Sequence, residues 1–231
     1  MSDRLKIFWR GPGSPAQAEP PAYGGSLPRF APRPAHRTLL ETRQSRGLEQ
    51  FFASFRGQTG LSILDLGGAC QDNINFVTNL GHRFYSEDFL RIFQETFSED
   101  VADQSNPGRI DYFLRQSLDY PDNQFDGVLA WDVLEYMEPA LLAAAADRLF
   151  RVLKPEGYLL AFFRSDDRAE TAPCYSFRIQ DLKTLQVSQQ GERAFSKHLF
   201  NNRTLEKLFQ KFQSVKFFLT RDRLREVIVR K

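Results

Sequence analysis

The chain has 231 residues, 42% of them hydrophobic, and its 31 Lys and Arg nearly balance 29 Asp and Glu for a net charge of +2. That length suits one α/β domain, or one domain with an arm, and the near-neutral charge excludes an overall field drawing the chain to nucleic acid or to an anionic membrane. Two cysteines and three histidines form neither a disulfide framework nor an evident zinc site, no apolar run approaches the ~18 residues of a membrane span, and the first residues lack the apolar core of a signal peptide; a cytoplasmic protein without metal is the expectation.

Seven of the twelve prolines lie between Pro12 and Pro34, interleaved with Gly11, Gly13, Gly24 and Gly25. Such a stretch cannot propagate a helix and offers few sheet donors, so residues 1–37 read as an extended arm and 38–231 as the folded domain. Residues 1–46 carry eight basic and three acidic side chains. Leu39, Leu40, Leu48, Phe51, Phe52 and Phe55 predict an amphipathic helix over 38–56. A repeating order follows. Residues 61–66 form an apolar strand stopped by Gly67-Gly68, 72–80 a helix stopped by Gly81, 83–87 a strand, and 89–97 a helix. Residues 110–114 predict a third strand, 125–131 a fourth, 140–153 an alanine-rich helix and 157–163 a fifth strand. After a helix over 203–212, strands at 215–220 and 226–230 are too close in sequence for a parallel crossover, so they pair antiparallel. The expected fold is α/β: a doubly wound, mostly parallel sheet of seven strands with helices on both faces, ending in an antiparallel hairpin. The 22 phenylalanines point to an aromatic-rich core.

In such a sheet a ligand sits beyond the carboxyl ends of the strands. The first strand ends in Asp65-Leu66-Gly67-Gly68-Ala69, where two glycines permit a tight turn and close approach by a ligand. The run Gly67-Gly68-Ala69-Cys70-Gln71-Asp72 lacks the Gly-x-Gly-x-x-Gly spacing that a dinucleotide's pyrophosphate needs, and Asp72 would repel a phosphate. The second strand ends in Glu87-Asp88, where a carboxylate either accepts ribose hydroxyls or simply starts the helix at Phe89.

These segments together resemble class I S-adenosylmethionine-dependent methyltransferases. Residues 63–68 (Ile-Leu-Asp-Leu-Gly-Gly) look like the first family motif, and 81–88 (Gly-His-Arg-Phe-Tyr-Ser-Glu-Asp) like the second strand with its ribose acid. Residues 120–128 and 131–136 (Trp-Asp-Val-Leu-Glu-Tyr) are similar to the approach to the fourth strand and its sequel, and 148–160 to the helix, turn and fifth strand. The ordered matches cover about residues 60–163 and imply a Rossmann-like fold, S-adenosylmethionine as cofactor and a small-molecule acceptor. By that resemblance, Asp65 and Gly67 flank the methionine end of the cofactor, Gly68 and Ala69 leave room for it, Asp88 (or Glu87) holds the ribose, Phe89 borders the adenine, and Trp131 lies between cofactor and acceptor. Asp132, Glu135 and Tyr136 are the candidate bases, with Asp132 and Tyr136 first; Asp132 could instead cap the following helix.

Several positions depart from the family pattern. Ala69 and Gln71 stand where glycine is usual, Leu114 and Arg115 where an acid meets the adenine, and Tyr136 where histidine is frequent. The expected acceptor wall is 164–201, with Arg164, Cys174, Tyr175, Phe177, Arg178 and His198, under a lid made by the helix at 38–56, alone or with the arm. Two rival readings stand beside this one. A non-catalytic binding module would suit the altered glycine loop. Nucleic-acid methylation would suit the tail 211–231, with seven basic and two acidic residues, but the chain has no Asn/Asp-Pro-Pro-Tyr/Phe run to bind a flipped base. Oligomeric state is left open.

Overall fold

The structure is a computed structural model that describes residues 40–97, 101–164, 171–194, 200–220 and 224–231. The expected arm and His198 lie outside these residues. In chain order the elements are β1 (Leu40–Gln44), α1 (Arg46–Ala53), β2 (Ser62–Asp65), α2 (Gln71–Asn79), β3 (Arg83–Ser86), α3 (Phe89–Thr96), α4 (Pro107–Ser117), β4 (Phe125–Trp131), α5 (Pro139–Val152), β5 (Leu153–Arg164), β6 (Thr171–Ile179), β7 (Thr184–Ala194), α6 (Asn202–Leu208), β8 (Ser214–Leu219) and β9 (Leu224–Arg230). Short 3-10 turns precede α4 and follow β4.

The main sheet has the order β3-β2-β4-β5-β9-β8. Its first four strands are parallel, and β9 runs antiparallel to both β5 and β8. The reversal of winding between β2 and β4 opens the crevice at their carboxyl ends. The terminal hairpin is as expected, but the sheet has six described strands rather than seven.

The missing strand is α4. Asn106 accepts hydrogen bonds from the amides of Gly108 and Arg109, and Pro107 occupies the first turn, where its lacking N–H costs nothing. Ile110, Phe113, Leu114 and Ser117 then share a helical face. Phe113 is wholly buried with its ring edge-on to Phe89. The helix start, not the short apolar run inside it, decides the conformation.

The second difference lies at 38–56. Residues 40–44 are strand, pairing antiparallel with β7, and the helix begins only after Ser45, whose hydroxyl accepts from the Leu48 amide. β1, β7 and β6 form a separate antiparallel sheet in the order β1-β7-β6.

Alternation along the buried strands divides the core in two. Leu64, Val128, Leu159 and Val227 face α3–α6. Ile63, Leu129, Leu160 and Ile228 face α1 and the small sheet, with Phe51, Phe177 and Val187. α1 approaches closely at Gly127, where a β-carbon would stand 2.7 Å from Phe51 Cζ. The second face is therefore covered by one helix layer plus a sheet, an arrangement that lays β6 beside the mouth of the crevice.

Candidate functional site

β2, β3 and β4 end together, and the turn after β2 is built for close approach. Gly68 has φ +85°, a left-handed conformation that glycine adopts without strain. Gly67 forms an isolated bridge with Asp88, and a β-carbon on Gly68 would be 3.6 Å from Asp88 Cγ. Asp88 accepts from the Arg91 amide at 3.1 Å through Oδ1, capping α3, and its Oδ2 lies 3.5 Å from Arg91 Nε. The helix-start reading of this carboxylate is thus observed, and the same residue lines the crevice. Glu87, pointing the other way, accepts the Tyr120 hydroxyl, so the two acids are separated by strand alternation.

A cavity of about 280 Å³ opens here, lined by Gly67, Asp88, Trp131 and Asp132 and walled by Cys174 and Phe177 of β6. Ala69 and Phe89 do not line it. Phe89 is 0% exposed and packs into the core against Phe113, so it presents no face to an adenine. Tyr175 also lines the cavity, whereas Arg178 lies 3.8 Å from Asp72, away from it. No residue of α1 lines the cavity, and β6 takes the place expected of a helical lid. Larger hollows of about 910 and 540 Å³ exist elsewhere, lined by none of these crevice residues.

Asp65 is fully buried at the head of the crevice. One oxygen accepts from Gly67 N at 2.8 Å and Trp131 Nε1 at 2.6 Å, and the other from Asn73 Nδ2 at 2.9 Å. Burial outweighs these three bonds and pushes its pKa up from 3.8 to about 6. Asn73 reaches further, donating to Phe177 O at 3.0 Å and accepting from Ile179 N at 2.8 Å, which ties α2 and Asp65 to β6. Sequence reasoning passed over Asn73. Its signal was a polar side chain four residues before buried Val77, on the inward stripe of α2.

Trp131 is 1% exposed and stacks on Phe177 with centroids 5.2 Å apart and planes 7° apart. It also has φ +49°, a left-handed backbone uncommon for so bulky a residue, and sits at a register irregularity between β4 and β5.

Below it lies a second acidic group. Tyr136 Oη donates to Asp132 Oδ2 at 3.0 Å and contacts Pro173 O at 3.2 Å. Glu135 pairs with Arg164, whose Nε is 3.2 Å from Oε1 and whose backbone amide donates to Oε2 at 2.9 Å. Both Asp132 and Glu135 are raised well above the ordinary carboxylate range, first by burial, with Arg164 opposing the shift in each. Burial and the two acids hold the Tyr136 phenol protonated. Asp132 makes no capping bond to the turn that follows. A buried carboxylate whose pKa is raised from 3.8 to about 6, at the wall of a cavity, is suited in its ionised form to taking a proton.

Among the described residues no group of acids, histidines and cysteines is placed to hold a metal, and no helix is long and apolar enough to cross a membrane. Residues 36–213 match the family model described as a methyltransferase domain. Among solved structures, a 1,6-didemethyltoxoflavin-N1-methyltransferase from Burkholderia thailandensis, bound to 1,6-didemethyltoxoflavin and S-adenosylhomocysteine, is 14% identical with a TM-score of 0.44, covering 80% of this chain and 77% of that one. An SAM-dependent methyltransferase from Methanosarcina mazei is 18% identical at a TM-score of 0.45, covering 78% and 96%. Another from Archaeoglobus fulgidus is 15% identical at 0.44, covering 80% and 91%. Likenesses of this strength leave the family match as the finding that counts. A search of curated protein sequences returned no match.

Proposed function

We propose that this chain, which belongs to the methyltransferase-domain family, transfers a methyl group from S-adenosylmethionine to a small or medium-sized acceptor, through a domain spanning residues 38–231. The observation that carries this reading is the juxtaposition of the Gly67-Gly68 turn with Asp88 at the mouth of a strand-end crevice. That geometry fits a nucleoside: Gly68 leaves room for the ribose, and Asp88, half-exposed and paired through Oδ2 with Arg91 at 3.5 Å, would exchange that ion pair for the ribose hydroxyls. The cofactor supplies a sulfonium methyl that is already an activated electrophile.

What remains for the protein is placement and proton handling. Asp132, at the cavity wall, would accept the proton released by an amine or hydroxyl acceptor. Tyr136 Oη fixes the orientation of that carboxylate, and burial keeps its affinity for protons high against the opposing charge of Arg164, which pairs with Glu135. Cys174 and Tyr175 form the acceptor side of the cavity. A cytoplasmic setting belongs to this proposal.

The test is binding followed by transfer. Saturating S-adenosylhomocysteine should raise the Tm of the full chain, and Asp88→Ala should weaken its affinity about tenfold or more, the worth of a charge-assisted hydrogen bond. Full affinity in the Asp88→Ala protein would refute the ribose assignment. Labelled methyl donor with a cell extract identifies the acceptor, and Asp132→Asn should lower turnover about 100-fold or more while leaving S-adenosylhomocysteine affinity within about twofold. Failure of the ligand to bind at all would make the domain a binding module.

A further inference from the structure

The cavity at the crevice, about 280 Å³, falls just below the ~300–1,000 Å³ of ordinary small-molecule sites, and Trp131 is among the side chains that bound it. The Trp131 indole lies against the glycine turn: a β-carbon on Gly67 would be 2.9 Å from Trp131 Cδ1. Its N–H donates to Asp65 Oδ1, the same oxygen that accepts the Gly67 amide. One face of the indole is covered by Phe177. The strip running from Asp88 along Gly67 to Asp65 is therefore open at the Asp88 end and filled at the Asp65 end.

We infer that Trp131 is a gate on the methyl donor. The indole N–H takes the Asp65 oxygen that the donor's ammonium group would take, and binding requires the ring to leave the glycine turn. This rests on the reading of the crevice as an S-adenosylmethionine site. With the nucleoside end at Asp88 and Gly68, an extended ligand passing Gly67 meets Asp65 next, a buried carboxylate suited to an ammonium group. Exchange of one N–H donor for another preserves the hydrogen bonding of Asp65, so the buried carboxylate is never left without that partner. Asn73 holds the other Asp65 oxygen and the backbone of β6 while this happens.

The backbone points the same way. Left-handed φ at a bulky residue, on a strand irregularity, is the kind of conformation that persists only where surroundings impose it and that concentrates at switching sites. The constraint comes from both sides, through Asp65 and through the Phe177 stack. Trp131 thereby sets the threshold for donor binding and, once displaced towards the acceptor side, forms part of the acceptor's wall.

The chain has two tryptophans, Trp9 and Trp131, so a Trp9→Phe protein reports on Trp131 alone. Saturating S-adenosylhomocysteine should shift its emission to the red and raise its acrylamide quenching constant at least twofold. Trp131→Phe, which keeps an aromatic ring but loses the N–H, should bind S-adenosylhomocysteine about tenfold more tightly by calorimetry, a change of about 1.4 kcal/mol. Binding with unchanged emission and quenching overturns the gate while leaving the cofactor assignment intact, as does a Trp131→Phe affinity no tighter than that of the parent. Absence of binding in both the parent and Trp131→Phe defeats both proposals. Binding by Trp131→Phe alone supports the gate in its strongest form. Because the fluorescence arm uses the native Trp131, the test survives any loss of folding in the variant.

Discussion

Asp65 is wholly buried, and three donors do not fully repay the water it has lost, so its pKa stands near 6 instead of 3.8. The native state thus binds a proton that the unfolded chain has already released between about pH 4 and pH 6. Stability falls as pH rises through that window, and above it the cost is constant, about 3 kcal/mol for a shift of this size. Asp65→Asn should remove that contribution. The stability difference between parent and variant, from urea unfolding at pH 4 to 7.5, should change by up to about 3 kcal/mol across the window. A difference independent of pH would show that Asp65 is not the titrating group. Asp132 and Glu135 shift in the same direction but are common to both proteins and cancel. An acid after the first strand was legible in the sequence. The polarity of its surroundings was not, because Trp131 and Asn73 reach it from other elements.

β6 closes the crevice wall, held there by Asn73 together with Tyr136 at Pro173 and the Trp131 stack on Phe177. Asn73 supplies bonds to Phe177 O and Ile179 N across more than a hundred residues of chain. Asn73→Ala would leave two buried backbone groups and one carboxylate oxygen short of that partner. The expected cost is about 2–4 kcal/mol in chemical unfolding, with faster hydrogen exchange at the Ile179 amide than at amides of β4. Equal protection of Ile179 in parent and variant would contradict this role. The elements themselves show where local pattern suffices. β2, α2, β3, α3, β4, α5, β5, β8 and β9 were legible from apolar runs broken by glycine or proline. α4 was misread as a strand because Ile110 to Leu114 is short enough to suit either state; the information lay in Asn106-Pro107, a cap and a first-turn residue. β1 was misread as helix because Leu39 and Leu40 continue the apolar stripe of α1. Its strand character comes from β7, a partner more than a hundred residues away.

At the scale of the molecule, the main sheet carries two cores, and among the described residues their buried members all lie between Leu48 and Val229. The family match likewise begins at residue 36. A chain starting at Arg37 should therefore keep its Tm within about 2–4 °C of the full chain, the equivalent of about 1 kcal/mol, and keep its S-adenosylhomocysteine affinity. A larger loss would place residues 1–36 within the folded unit. Composition, the order of apolar runs and the glycine turn after the first strand were enough, by themselves, to set the α/β class, the antiparallel finish and the crevice as the place to look. These depend on spacing within about twenty residues, which a chain carries wherever it goes. The tertiary structure alone decided that six strands form the main sheet among the described residues, that β6 covers the crevice in place of α1, and that Trp131 lies against its glycine turn. Those outcomes depend on which distant segments meet and in what register, and contact energy between separated parts of a chain leaves no period in the sequence.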